Sequence, residues 1–477
     1  MEKTKLFALI GGPFLFLIVL FWNPFSIDVI QNRVLACVGW MLVWWISEVV
    51  PMAITALLPI VLFPLFNILS IEKTCLAYSN RFIFLFLGGF VIALAMEKWN
   101  LHRRLALNIV KMTGTSANRI VLGFFLASYL ISMWISNTAT ALMMLPIASS
   151  VVALLVTKES ISTDKGTRNF ALTMMLAIAY GANIGGVGTL VGSPPNTAMA
   201  GILSKSFDHH VSFFEWMKIG LPFSICLLIL SYFFLVRIIF PNRLGHFKLG
   251  HETIINEIKI LGKISKAEAR VFAVFVVTAI LWIIQDPISS FLKKHHIEYT
   301  DTTIAIIAVL VLFLLPSGKD KGEPILKWKD SERLPWGVLL MFGGGMCLAE
   351  AFTGSGLAQT ISSQMASFDK SNLFLYISTL TATGIAMTAL MSNIAMVNFF
   401  IPVVGALALQ ADVSPALFAI PVAIASSCDF MFPMGTPPNA IVYSSGYIRS
   451  FDMLKGGIAL NILALLLLMI VIYLQVG

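Results

Sequence analysis

Two short strings in this chain combine residue types that can hold small ions without themselves carrying charge. Gly192-Ser193-Pro194-Pro195-Asn196 recurs as Gly435-Thr436-Pro437-Pro438-Asn439, and Ile135-Ser136-Asn137-Thr138 recurs as Met391-Ser392-Asn393-Ile394. A Pro-Pro pair removes two backbone donors and forbids a continuous helix, so the backbone is predicted to unwind at Pro194-Pro195 and at Pro437-Pro438. Each break leaves carbonyls at the end of one half-helix and free N–H groups at the start of the next. Carbonyls can hold a cation, and the positive start of a half-helix can hold an anion. Ser136, Asn137, Thr138, Ser392 and Asn393 add hydroxyls and amides that both donate and accept. Ser132 lies four residues before Ser136, and Thr388 four before Ser392, which puts each hydroxyl one helical turn below its tip. Such oxygens, joined by backbone carbonyls, suit a hard monovalent cation such as sodium.

No Lys or Arg falls in these segments, so an anionic ligand would depend on amide, hydroxyl and N–H donors plus co-bound cations. Two carboxylates occur near the middle of apolar runs. Glu48 precedes Pro51 at a bend between spans, where capping or a polar contact is expected. Asp429 precedes the second Pro-Pro by a few residues and is the better candidate for tuning a cation site or carrying a proton.

These strings must be positioned by membrane helices. The chain has 477 residues, 58% hydrophobic and 12% charged, a composition that belongs in a bilayer. A hydrocarbon core about 30 Å thick takes roughly 20 apolar residues per helical crossing. Such runs lie near 5–22, 34–47, 51–66, 82–98, 170–204, 217–240, 270–286, 302–316, 336–352, 413–445 and 456–474, giving eleven predicted crossings. Met1 to Trp22 has a basic start but no small-residue cleavage site after it, so it reads as a retained first helix. Stretches 120–156 and 373–409 carry their Ser-Asn pairs near the middle and read as re-entrant hairpins with tips inside the membrane.

An internal repeat underlies this order. Arg33-Val34-Leu35-Ala36 leading to Trp45-Ile46 answers Arg270-Val271-Phe272-Ala273 leading to Trp282-Ile283 at the same spacing, and Gly88-Gly89 answers Gly343-Gly344-Gly345. The Ser-Asn and Pro-Pro-Asn strings follow in the same sequence. Each half holds five crossings and one hairpin, and an odd number of crossings inserts the second half upside down, the recurring plan of secondary transporters. The basic residues agree with an N-terminus inside and a C-terminus outside. Arg103, Arg104, Lys111, Lys158, Lys165, Arg168, Lys319, Lys321, Lys327, Lys329, Arg333, Arg449 and Lys455 fall in predicted cytoplasmic connections. Fewer fall outside, among them Arg33, Lys73, Arg81, Lys205, Lys293, Lys294 and Lys370.

The net charge of +8 is spread over these short loops, which argues against a nucleic-acid partner. Cys37, Cys75, Cys226, Cys347 and Cys428 are scattered without metal-ligand spacing and read as small packing residues. The seven histidines (His102, His209, His210, His246, His251, His295 and His296) fall in predicted connections, which argues against a metal site within the membrane. No HExxH motif or acid-base constellation lies within the apolar segments, so an intramembrane enzyme is not expected.

As a set, these residues resemble the divalent anion/sodium symporter family, the sodium-dicarboxylate cotransporters. The resemblance covers almost the whole chain, through Trp45-Ile46-Ser47-Glu48-Val49-Val50-Pro51, Thr55-Ala56-Leu57-Leu58-Pro59, both Ser-Asn tips and both Pro-Pro-Asn strings. It implies an all-α membrane protein acting as a homodimer. Each protomer would pair a scaffold (1–118, and 241–372 with its cytoplasmic loop) with a mobile transport domain (119–240 and 373–477) that carries substrate across like an elevator. It also implies that substrate carboxylates meet Asn137, Thr138 and Asn393 near Thr436 and Pro437, with Ser193 and Pro194 as the first-half counterparts. One sodium site would use Ser132, Ser136, Asn137 and the Gly192 carbonyl. Its mate would use Thr388, Asn393 and the Met391 and Gly435 carbonyls. The expected function is sodium-driven transport of succinate, malate or fumarate, with no cofactor beyond sodium as coupling ion. Sodium-independent dicarboxylate exchange, and citrate or sulfate transport, are the alternatives on the same fold. The chain departs from the family at Ile394, where a Thr is typically repeated, and at Asp429, where a small apolar residue is common. Short loops fit a bacterial plasma membrane.

Overall fold

Backbone N–H and C=O groups in hydrocarbon have no water to bond, so apolar runs of this kind satisfy themselves as helices. A computed structural model of the chain describes residues 3–155, 164–242, 244, 248–318, 322–364 and 372–476. All named elements among them are helical, with one isolated bridge between Pro316 and Pro324. Lys158, His246, Lys319, Lys321 and Lys370 lie outside the described residues. Nine described helices are long and apolar enough to cross a membrane, or ten if Lys266–Ile283 and Gln285–Lys293, bent by 66°, count as one span. Seven of the eleven predicted crossings are among the nine, joined by Asn137–Leu154 and Asn393–Gln410 from the two stretches expected to be hairpins; run 270–286 falls in the bent pair, and runs 51–66, 302–316 and 413–445 hold shorter apolar helices. Run 51–66 splits into Met52–Thr55 and Leu58–Leu65, and run 413–445 into Pro415–Ser426 and Pro437–Tyr443.

The first helix, Lys3–Trp22, packs along Val29–Ser47, where the Trp40 and Trp44 rings close on Gly12. Glu48 caps the end of that second helix in a left-handed conformation, φ 47°, and is exposed, as a bend before Pro51 requires. Cys37, Cys347 and Cys428 are buried in packing, whereas Cys75 and Cys226 are exposed and do not fit that reading. His102 and His251 lie in helices that form those connections. Leu101–Thr113 and Lys248–Leu261 alternate apolar and charged residues at helical spacing, so each forms an amphipathic helix between spans.

Two pairs of helices flank two central ones. Ala117–Ser132 and Asn137–Leu155 both pack on Lys165–Val187, which is buried from Asn169 onward; Leu373–Thr388 and Asn393–Gln410 both pack on Pro415–Ser426. The central helices are then crossed over. Pro437–Tyr443 packs on Lys165–Val187, and Pro194–Ser206 packs on Pro415–Ser426. Helix Trp336–Gly354 lies against both Pro194–Ser206 and Asn393–Gln410.

The proline pairs do not sit in the unwound backbone itself, contrary to the expectation from sequence. The non-helical residues are 188–193 and 427–436, and Pro194-Pro195 and Pro437-Pro438 are the first two positions of the following helices. The first turn of a helix has no use for its N–H groups and favours the fixed φ of proline, so the pair begins a half-helix rather than interrupting one.

Candidate functional site

Asparagine holds each break together. Asn196 Nδ2 donates to the carbonyls of Gly186 (2.9 Å) and Thr189 (2.8 Å), ten and seven residues earlier. Asn439 Nδ2 donates to the carbonyls of Asp429 (3.0 Å) and Phe432 (3.0 Å), again ten and seven residues earlier. Both asparagines are fully buried, so each staple offsets carbonyls that the unwound stretch would otherwise leave unpaired.

The tips are built in matching fashion. Ser132 Oγ donates to Asn137 Oδ1 at 2.5 Å, and Thr388 Oγ1 lies 2.8 Å from Asn393 Oδ1. Ser136 Oγ accepts from Ala139 N and Ser392 Oγ from Ala395 N, so each serine caps the helix that leaves its tip. Each tip also touches its break. Thr388 Oγ1 lies 2.8 Å from the Ser426 carbonyl, and Thr189 Oγ1 donates to the Met133 carbonyl while accepting from Gly192 N. Beside Gly192, a Cβ would meet the Gly186 carbonyl at 2.7 Å, the Met133 carbonyl at 3.0 Å and Thr189 Oγ1 at 3.1 Å. Three oxygens therefore converge on one small space. At Gly186 a Cβ would fall 2.7 Å from Asn137 Oδ1 and 3.2 Å from the Gly192 carbonyl, so glycine there lets the Asn137 side chain lie close to the break.

The central helix of the first half is tied to the second break by a residue that sequence reasoning passed over. Asn183 Nδ2 reaches Thr436 Oγ1 (3.0 Å) and Asn439 Oδ1 (3.2 Å) from the central helix of the first half, and its own Oδ1 is buried without a partner. The available signal was an amide inside an otherwise apolar run, three residues before Gly186. Thr189 and the Met133 carbonyl were likewise missed.

The structure thus gathers Ser132, Asn137 and Gly192 in one place, with Ser136 and Thr138 at the same tip, and Thr388 and Asn393 in a second place beside the break that holds Gly435. Met391 lies in the second tip. Ser193 is buried and makes no capping bond, whereas Thr436 accepts from Asn439 N. The halves also differ in access. The first break is buried apart from a half-buried Pro194, while Pro437 is exposed, Met434 is 88% exposed and Leu390 at the second tip 77%. A cavity of about 670 Å³ lies elsewhere, lined by Arg81, His210, Glu215, Asp286, Lys293 and Asp301 among others.

An all-helical membrane chain built around two stapled helix breaks falls in the class of membrane transport proteins. It belongs to the sodium:sulfate symporter family, whose transmembrane-region model matches residues 2–476. The sodium-dependent dicarboxylate transporter SdcS of Staphylococcus aureus, strains NCTC 8325 and COL among others, is 37% identical over 474 residues, 98% of this chain and 91% of that one. Among solved structures, Neisseria gonorrhoeae MtrF, described as illuminating a class of antimetabolite efflux pumps, shares the fold. Its TM-score is 0.53 at 14% identity, covering 84% of this chain and 82% of MtrF, a likeness of fold alone.

Proposed function

We propose that this chain imports small dicarboxylates of the succinate, malate and fumarate class across a plasma membrane by sodium symport. The carrying observation is the pair of matching tip-and-break units, each an uncharged oxygen cluster held by a stapling asparagine. Uncharged oxygens at close range suit sodium. A dianion that finds no Lys or Arg in these segments gains its counter-charge from ions bound with it. The name of the Staphylococcus relative supports both the ion and the substrate class.

In this reading one sodium ion is held by Ser132, Ser136, Asn137 and the Gly192 carbonyl, and another by Thr388, Asn393 and the Met391 and Gly435 carbonyls. The substrate meets Asn137, Thr138 and Asn393, with Thr436, Pro437, Ser193 and Pro194 beside them. Inverted repeats are supported by the equal ten- and seven-residue staples and by the crossed packing of the four half-helices. The segments 119–240 and 373–477 then move together as a transport domain against the scaffold of 1–118 and 241–372, in a homodimer with its N-terminus cytoplasmic. The Asn183 bridge supports that unit, because it joins the two transport segments directly.

Purified protein in liposomes tests this with labelled succinate, vesicles being empty or preloaded with unlabelled succinate. Uptake into empty vesicles that requires an inward sodium gradient is expected. Uptake that ignores sodium and requires internal dicarboxylate would replace symport by exchange.

A further inference from the structure

Asp429 is fully buried, and neither of its carboxylate oxygens has a hydrogen-bond partner. None of the ion pairs among the described residues includes it. A bare carboxylate in so dry a place is strongly unfavourable, so a cation must accompany the charged group. Its position says where. The carboxylate lies against Gly435, where an added Cβ would meet Asp429 Cγ and Oδ1 at 2.5 Å, so only glycine leaves room for it.

The stapling asparagines identify its counterpart. Asn439 takes the Asp429 carbonyl as Asn196 takes that of Gly186, each ten residues back. A Cβ at Gly186 would point at Asn137 Oδ1, 2.7 Å away, and the Gly192 carbonyl, 3.2 Å away. By that correspondence, and because the carboxylate lies against Gly435, we infer that position 429 faces the second oxygen cluster as position 186 faces the first. Thr388 Oγ1 ties that cluster to Asn393 Oδ1 and to the Ser426 carbonyl, three residues before Asp429 in the chain, and the Ser427 hydroxyl, two residues before it, is buried and unpartnered.

We propose that Asp429 is an anionic ligand for a sodium ion at the second helix break, so that the second cluster binds its cation with a formal charge while the first binds with neutral oxygens only. The inference rests on the sodium coupling proposed above and adds an asymmetry to it. Across one full cycle the protein's own charge cancels, so the net charge moved is set by ions and substrate. What Asp429 changes is the affinity of one site and the electrostatic penalty of leaving that site empty.

The test is the unfolding temperature of the purified full-length protein, titrated with sodium chloride against choline chloride at constant ionic strength. Wild type, Asp429→Asn, Asp429→Ala and, as a first-cluster control, Ser132→Ala are compared. Sodium should stabilise the wild type saturably. Both Asp429 variants should melt at a higher temperature than wild type in sodium-free buffer, having lost the uncompensated charge, and should need at least tenfold more sodium for half of the stabilisation. Ser132→Ala should weaken the response without raising the sodium-free value. Half-maximal sodium concentrations equal to wild type in the Asp429 variants would overturn the assignment while leaving sodium coupling standing. A wild type that sodium does not stabilise would overturn both. Either Asp429 variant suffices if the other does not fold.

Discussion

Asn183 ties the central helix of the first half to the second break, where a single amide reaches both Thr436 and Asn439; from the same helix Tyr180 Oη donates to the Phe430 carbonyl. Deleting a buried donor leaves its acceptors unpaired, a loss of about 1–3 kcal/mol. Asn183→Ala should therefore lower stability by that order, read as the shift in a reversible unfolding transition in detergent. It should also impair uptake in liposomes more than a loss of that size explains, because the two transport segments lose their register. Normal uptake with unchanged stability would remove Asn183 from the site. The amide was overlooked in the sequence because an isolated Asn in an apolar helix most often only glues helices together. Its role depends on a partner 253 residues away.

At the level of elements, the breaks are maintained by asparagine staples and glycine clearances, and the prolines serve as helix starts. Pro195→Ala should leave the break in place, since alanine is also tolerated in a first turn. Asn196→Ala should release the Gly186 and Thr189 carbonyls together and cost more, about 1 kcal/mol for each lost bond. Comparing the two unfolding temperatures decides between staple and proline; a larger loss for Pro195→Ala would reverse the assignment. Pro-Pro correctly signalled a discontinuity in each half. Its placement was off by several residues, because the rule that proline cannot continue a helix says nothing about which side of it the chain unwinds.

For the whole molecule, stability carries a pH dependence that a buried imidazole writes. Burial, opposed by the Met96 carbonyl 3.0 Å from Nδ1, pushes the His102 pKa down from 6.5 to about 4, so the ring is neutral in the folded chain. The unfolded chain takes up that proton below about pH 6.5. The contribution is therefore fully present above pH 6.5 and lost as the pH falls toward 4. Replacing His102 with Gln should flatten this part of a stability-against-pH profile; an unchanged profile between pH 4 and 6.5 would show that other groups produce it.

What the sequence determined by itself was the membrane, the helices and the doubled strings, because hydropathy, Pro-Pro and Ser-Asn act through local physics that no partner needs to complete. Ser132 and Thr388 were legible one turn below their tips for the same reason, since helical pitch alone places them. Tertiary structure decided the rest. It set Asn183 against Thr436, folded run 413–445 into two pieces around a stapled turn, and left the second break open at Met434 while burying the first. It also showed that the Asp429 carboxylate faces Gly435 with no partner, which the residue type alone left undecided. Whether a buried polar group is satisfied depends on atoms brought from distant parts of the chain, and that is fixed only when the helices pack.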